Sequence, residues 1–218
     1  MKTTEIEVPL PDARLSGELA IPAGATGLVI FAHGSGSSRH SPRNRFVAQH
    51  LQRAGLATLL FDLLTAEEEL AEWHTRHLRF NIPFLAKRLI GVTHWALAQP
   101  TCARLKPGYF GASTGAAAAL VAAADLGRTI GAVVSRGGRP DLAEAVLPRV
   151  VSPTLLIVGE NDIPVIPLNE SAFSRLRCPK ELRIVPGASH LFEEPGALET
   201  VADLARDWFL QHLVAKPD

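Results

Sequence analysis

The chain has 218 residues, with 22 basic against 22 acidic side chains, 47% hydrophobic residues and 20% charged ones. A formal charge of zero argues against a nucleic-acid binder, which carries a net positive stripe, and the composition is far from that of a disordered chain. The length fits one α/β domain over residues 1–218, able to bury about 70% of its unfolded surface without staples.

In chain order, residues 1–7 lack the apolar stretch of a signal peptide. Residues 15–21 alternate apolar and polar, which predicts a strand closed by Pro22-Ala23-Gly24. Residues 27–32 form a continuous apolar run, as expected of a strand buried on both faces. The spacing of Phe46, Val47, Leu51 and Ala54 predicts a helix stopped by Gly55. Residues 57–61 make the next buried strand, and Asp62 follows it. Residues 66–100 then read as helical: an acidic stretch at 67–73, and a second at 85–97 carrying Leu85, Leu89, Ile90, Val92, Trp95 and Ala96. Pro83 either separates the two or sits in the first turn of the second. Further strands are predicted at 107–110, 130–134, 154–158 and 182–185, and helices at 114–124, 141–145, 168–176 and 198–213. The longest small-apolar run, 115–124, is too short to cross a bilayer. Strands separated by helices predict a parallel sheet covered on both faces.

The sharpest local signal is Gly111-Ala112-Ser113-Thr114-Gly115, a G-x-S-x-G sequence between a strand and an Ala-rich helix. A turn this tight holds the serine in a strained conformation, and the flanking glycines make room for close packing. The hydroxyl then projects at a helix N-terminus, where backbone N–H groups favour negative charge. The plainer alternative is a Gly/Ser-rich helix start with Ser113 as a simple cap.

A serine nucleophile needs a base, and the base needs an orienting acid. The chain offers them in the order Ser…Asp…His. Asp162 lies in the turn after strand 154–158, and His190 in Pro186-Gly187-Ala188-Ser189-His190, after strand 182–185. Groups beyond strand C-termini share one edge of an open α/β sheet. Asp162 also suits a turn-capping role, and two other acids compete: Asp141, before a helix, and more weakly Glu160. For the oxyanion, the Thr114 N–H is placed by the turn itself, and the second donor is expected from His33-Gly34-Ser35-Gly36. Ser35 is the first choice, with Gly34 and Gly36 as alternatives. A phosphate cradle is not expected, since neither Gly-Lys-Ser/Thr nor G-x-G-x-x-G is present. His74 and His77 lack the further ligands a metal site needs.

Taken together, His33-Gly34-Ser35-Gly36, Gly111-Ala112-Ser113-Thr114-Gly115, Gly159-Glu160-Asn161-Asp162 and Gly187-Ala188-Ser189-His190 resemble the α/β-hydrolases, in particular their dienelactone-hydrolase-like branch of small bacterial proteins. Residues 37–44 and 62–65 are similar to a subgroup of hydrolases whose members are in some cases fused to a phosphoribosyltransferase domain; no such domain is expected within these 218 residues. The resemblance implies the α/β-hydrolase fold: a mostly parallel central sheet with helices on both faces. The family's cap is inserted after the strand matched here by 130–134, and residues 135–140 leave no room for one, so no cap domain is expected. Dienelactone hydrolase uses a cysteine nucleophile where this chain has Ser113, a departure that points toward a serine esterase.

The expected reaction is therefore hydrolysis of small carboxylic esters through an acyl-enzyme on Ser113, with His190 as base and acid, Asp162 as orienting group, and no metal or organic cofactor. Lactone, thioester or small-amide hydrolysis, acyl transfer on the same triad, and a catalytically silent interaction module are the alternatives. Segment 62–84 offers Trp73, Phe80, Ile82, Pro83 and Phe84 either as an apolar pocket or as packing under the long helix. Gly34, Arg39 and Arg43 are candidate substrate-binding residues; the two arginines suit a substrate carboxylate or structural ion pairs. The expected partner is a small ester, with no nucleic acid and no membrane; monomer and homodimer both stay open. Cys102 and Cys178 stand in unrelated contexts, so a disulfide framework is excluded and a reducing, cytoplasmic setting is expected.

Overall fold

The computed structural model describes residues 3–213, apart from the side chain of Trp73. The central apolar runs form strands because only a strand in mid-sheet buries both faces of such a segment while satisfying its backbone. These are β3 (Gly27–Ala32), β4 (Ala57–Phe61), β5 (Lys106–Ala112), β6 (Val133–Arg136) and β7 (Thr154–Gly159). With β1 (Thr3–Leu10), β2 (Ala13–Ala20) and β8 (Lys180–Val185) they build one eight-stranded sheet in the order β1-β2-β4-β3-β5-β6-β7-β8. β3 to β8 run parallel, whereas β1 pairs antiparallel with β2, and β2 antiparallel with β4. The parallel sheet expected from the alternation is thus a mostly parallel one with an antiparallel edge.

Successive residues of each strand serve opposite layers. Leu28 and Ile30 of β3, Tyr109 of β5 and Val133 of β6 join one core with α3 (Ile82–Ala98) and α4 (Thr114–Leu126). Val29, Phe31, Phe110 and Val134 join the other, with α1 (Pro42–Arg53) and α6 (Ala197–Leu213). The alanines of α4 let it lie close against the sheet, and Ala116 to Leu120 are fully buried. The helix starts follow local chemistry. Ser41 caps α1 by accepting the Asn44 N–H, and Thr65 and Glu68 form a reciprocal capping box on α2 (Ala66–Thr75). Pro83 lies in the first turn of α3, capped by Asn81.

Four local expectations need correction. β1 is not among the predicted strands: it is an edge strand, largely exposed, and its apolar alternation is confined to Ile6, Val8 and Leu10 and interrupted by Pro9, although Val8 is fully buried in the core. The strand expected at 130–134 begins at Val133, after a turn in which the Ile130 N–H donates to Gly127 O. The helix expected at 141–145 is a 3-10 segment, Pro140–Arg149, with Pro148 inside it. Finally, α5 (Ile166–Arg175) starts two residues before the expected 168. Only three residues, 137–139, separate β6 from that 3-10 segment, so no cap is inserted there. No helix among the described residues is long and apolar enough to cross a membrane.

Candidate active site

The six parallel strands end on one edge of the sheet, and five of them, β3, β5, β6, β7 and β8, deliver the polar residues considered for the site. At the end of β5 the chain turns straight into α4 through Ser113, whose φ is +50° and ψ −121°. A non-glycine residue at positive φ carries backbone strain, and here the packing imposes it. A Cβ on Gly111 would collide with the backbone of Ala116, and one on Gly115 with the carbonyl oxygens of Ala32 and His33. The two flanking glycines let α4 press against β5 and β3, which leaves the serine at the apex. The Ser113 side chain makes no capping bond to α4, unlike the simple cap of the plainer reading.

Beyond β7, Asp162 is buried, and its Oδ2 lies 2.6 Å from Nδ1 of His190, which follows β8. Here too a close approach decides the geometry: a Cβ on Gly159 would collide with Ala188 O in the histidine loop. The rival acids are occupied elsewhere. Asp141 makes a two-pronged pair with Arg139, at 2.9 and 2.7 Å, and Glu160 accepts the Gly187 N–H at 2.8 Å. Ser113, His190, Gly34 and Ser35 line one open cavity of about 250 Å³.

The loop after β3 packs directly on the serine turn, where a Cβ on Gly34 would stand 3.0 Å from Ser113 Cβ. His33 anchors it: Nε2 accepts the Leu63 N–H at 3.0 Å, which leaves the ring proton on Nδ1, 2.9 Å from Gly34 O. Burial lowers the His33 pKa, so the ring stays neutral and can keep accepting. The Ser35 N–H donates to Thr114 Oγ1 at 2.9 Å, so it lies beside the turn but is engaged by that hydroxyl rather than free in the cavity.

The other sequence candidates separate. Arg43 lines the cavity and pairs with Glu193 at 2.6 Å. Arg39 is absent from the lining; its guanidinium pairs with Asp62, which also accepts the Arg39 main-chain N–H at 2.7 Å. Among the described residues none of 62–84 lines the Ser113 cavity; Leu63, Leu64, Glu69 and Arg79 instead line a separate small pocket beside Ser35 and Thr114. Ile82 is buried in the core, Phe84 packs against it under the Arg88 guanidinium, Phe80 and Pro83 are exposed, and the Trp73 side chain lies outside the described residues. His74 and His77 gather no third metal-ligating residue among the described residues.

The charged cavity residue that was missed is Arg136, the last residue of β6; Ser37, Ser41, Ala112 and Leu191 complete the lining. The signal was available, since a charged residue ends the buried strand Val133-Val134-Ser135-Arg136 immediately before Gly137-Gly138, on the edge where functional groups collect.

The fold recurs in known proteins. A dienelactone hydrolase from Anabaena variabilis is 60% identical, with a TM-score of 0.96 over 97% of this chain and 98% of its own. An α/β serine hydrolase without lid from Xanthomonas campestris shares the fold at 19% identity, with a TM-score of 0.78 over 99% of this chain and 97% of that one. Two Mycobacterium tuberculosis proteins named "Putative phosphoribosyl transferase" are 56% identical over 213 residues, 98% of this chain. The chain spans 47% of their length, so the name belongs to proteins about twice as long. No family model matches the chain.

Proposed function

The chain belongs to the α/β-hydrolases, in their dienelactone-hydrolase-like branch, and on that footing we propose that it hydrolyses small carboxylic esters through an acyl-enzyme on Ser113. The observation that carries the reading is the shared cavity: a serine held at φ +50° opens into the same space as His190, whose Nδ1 is backed by Asp162 at 2.6 Å. Such a set performs two-step acyl transfer.

Ser113 Oγ attacks the ester carbonyl carbon while His190 takes its proton. The tetrahedral intermediate collapses as the imidazolium returns that proton to the leaving alcohol. A water molecule then attacks the acyl-enzyme with His190 again as base; the acid leaves and Ser113 regains its hydrogen. Asp162 holds the Nδ1–H tautomer and stabilises the imidazolium in both halves. The main-chain N–H of Thr114, at the free N-terminus of α4, is the first oxyanion donor. The Ser35 N–H becomes the second once the Thr114 hydroxyl, its present acceptor, rotates away. No step calls for a metal or organic cofactor.

A second reading is favoured by the 60%-identical relative, which is named for dienelactone hydrolysis. A lactone runs through the same steps with the leaving alcohol still tethered to the acyl group. The phosphoribosyl transfer in the name of the longer relatives is not carried over to this chain.

Replacement of Ser113 by alanine tests the assignment. We expect turnover of p-nitrophenyl acetate to fall to the uncatalysed background while the circular-dichroism spectrum and melting temperature hold. Undiminished turnover in Ser113→Ala would remove the serine from the chemistry.

A further inference from the structure

The Ser35 N–H, the second oxyanion donor of the mechanism above, is held by a neighbouring side chain: it donates to Thr114 Oγ1 at 2.9 Å. Thr114 is 4% exposed, and this is its one side-chain hydrogen bond among the described residues. The amide itself has little freedom to leave. Gly34, one residue before it, is pressed on the serine turn, where a Cβ would stand 3.0 Å from Ser113 Cβ, and His33 is tied to the Leu63 N–H at 3.0 Å. The hydroxyl is the part that can move. A helical threonine has two χ1 rotamers open to it. Beside Thr114 lies a space of about 10 Å³ bounded by His33, Leu63, Leu64 and Leu85, enough for a hydroxyl to turn into and too small for a substrate group.

Two acceptors therefore compete for one N–H. The carbonyl oxygen of a bound ester is neutral, and its bond to the amide is worth no more than the hydroxyl's, so the exchange gains little. The oxyanion of the tetrahedral intermediate makes a charge-assisted bond, roughly twice as strong, and wins the N–H. We propose that Thr114, through its hydroxyl, is a positioning residue of the oxyanion site: it withholds the Ser35 N–H from the bound ester and releases it to the transition state. This rests on the serine-hydrolase reading above and gives the side chain after the nucleophile a role beyond that of its main-chain N–H. The consequence is differential binding, since a donor engaged only late in the step speeds acylation without tightening the ester complex. The hydroxyl forms and breaks no covalent bond.

Thr114→Val keeps the branched shape and removes the acceptor. In single-turnover acylation by p-nitrophenyl acetate, the efficiency of this variant is expected to rise about three- to tenfold over wild type. The gain is carried by a lower dissociation constant for the ester rather than by a faster acylation step, and Thr114→Ser, which retains the hydroxyl, restores the wild-type pattern. A tenfold or greater fall in the acylation rate of Thr114→Val would make the hydroxyl an oxyanion donor in its own right and overturn the proposal; so would a dissociation constant that does not fall. The Ser35 amide proton, followed by NMR, reports the exchange of acceptors itself. Methylboronic acid takes Ser113 Oγ as the fourth ligand of boron while His190 accepts the serine proton, and the adduct carries the negative charge of the intermediate. In the wild-type protein the Ser35 resonance is expected to move downfield as the adduct forms. A resonance that stays in place overturns the proposal, even where Thr114→Val fails to fold. An enzyme that neither turns over the ester nor binds the boronate removes the serine-hydrolase reading, and this proposal with it; normal turnover with an unmoved resonance removes this proposal alone.

Discussion

A serine hydroxyl at neutral pH is a poor nucleophile, so what surrounds Ser113 matters more than the residue. His190 is useful only if its Nδ1 proton is held, because Nε2 is then left free to accept from the serine. Asp162, buried and 2.6 Å from Nδ1, does this. An asparagine there can present its NH₂ group and stabilise the wrong tautomer. Asp162→Asn should therefore lower kcat on p-nitrophenyl acetate by on the order of 10³–10⁴-fold with little change in KM. Asp141→Asn, whose side chain is bound to Arg139, should leave kcat within about twofold. The opposite pattern in those two variants would reassign the acid. Between the serine and the histidine, Asp141, Glu160 and Asp162 all follow strand ends, and local pattern prefers Asp162 without excluding the other two. The ranking comes from which acid the folded sheet brings against His190.

At the scale of elements, the turn from β5 into α4 is the most constrained piece of the chain. Gly115 meets β3 and its loop so closely that a methyl group would displace Ala32 and His33, and with them the Ser35 backbone. Gly115→Ala should cost about 1–3 kcal/mol of stability and lower kcat more than KM, as read by thermal unfolding and steady-state kinetics. Unaltered melting and unaltered kcat would show that the turn is less tightly packed than described. The α2 segment depends on Glu72 instead. Burial pushes its carboxyl upward, but the amides of Arg79 and Leu78, the Thr75 hydroxyl and the Arg79 guanidinium outweigh this and hold it at about 2. A carboxylate depressed in the folded state lends stability above its ordinary pKa of 4.5 and loses it as pH falls toward about 2. Amide hydrogen exchange over residues 66–80 should quicken across that interval, and Glu72→Gln should show the same quickening at neutral pH. Acid-insensitive exchange in the wild-type protein would mean that Glu72 does not hold the segment. The fully buried runs β3 and β4 were legible to the residue, since both faces of a central strand are buried. β1 was less legible for the converse reason: as an edge strand it buries only Val8 fully, with Ile6 and Leu10 partly covered, and most of its other side chains face water.

For the molecule as a whole, the sheet order converts sequence distance into proximity. β3, β5, β6, β7 and β8 lie side by side and parallel, so the loops after them meet on one edge although they are spread from Gly34 to His190. With three residues between β6 and the next helical segment, that edge is left without a cap, and the cavity stays open. The neutral total charge conceals a local excess, since two arginines line the cavity while most of the chain's acids lie elsewhere. The sequence by itself determined the α/β alternation, the serine turn, the chain order of serine, acid and base, and the missing cap. Each is written in a short stretch of chain, through hydrophobic period, glycine spacing or loop length. Only the tertiary structure decided that Asp162 rather than Asp141 faces His190, that Arg39 is taken by Asp62, that the Ser35 N–H is held by Thr114, and that Arg136 enters the cavity. Those are contacts between residues far apart in the chain, and local patterns carry no information about them until the strands are laid in order.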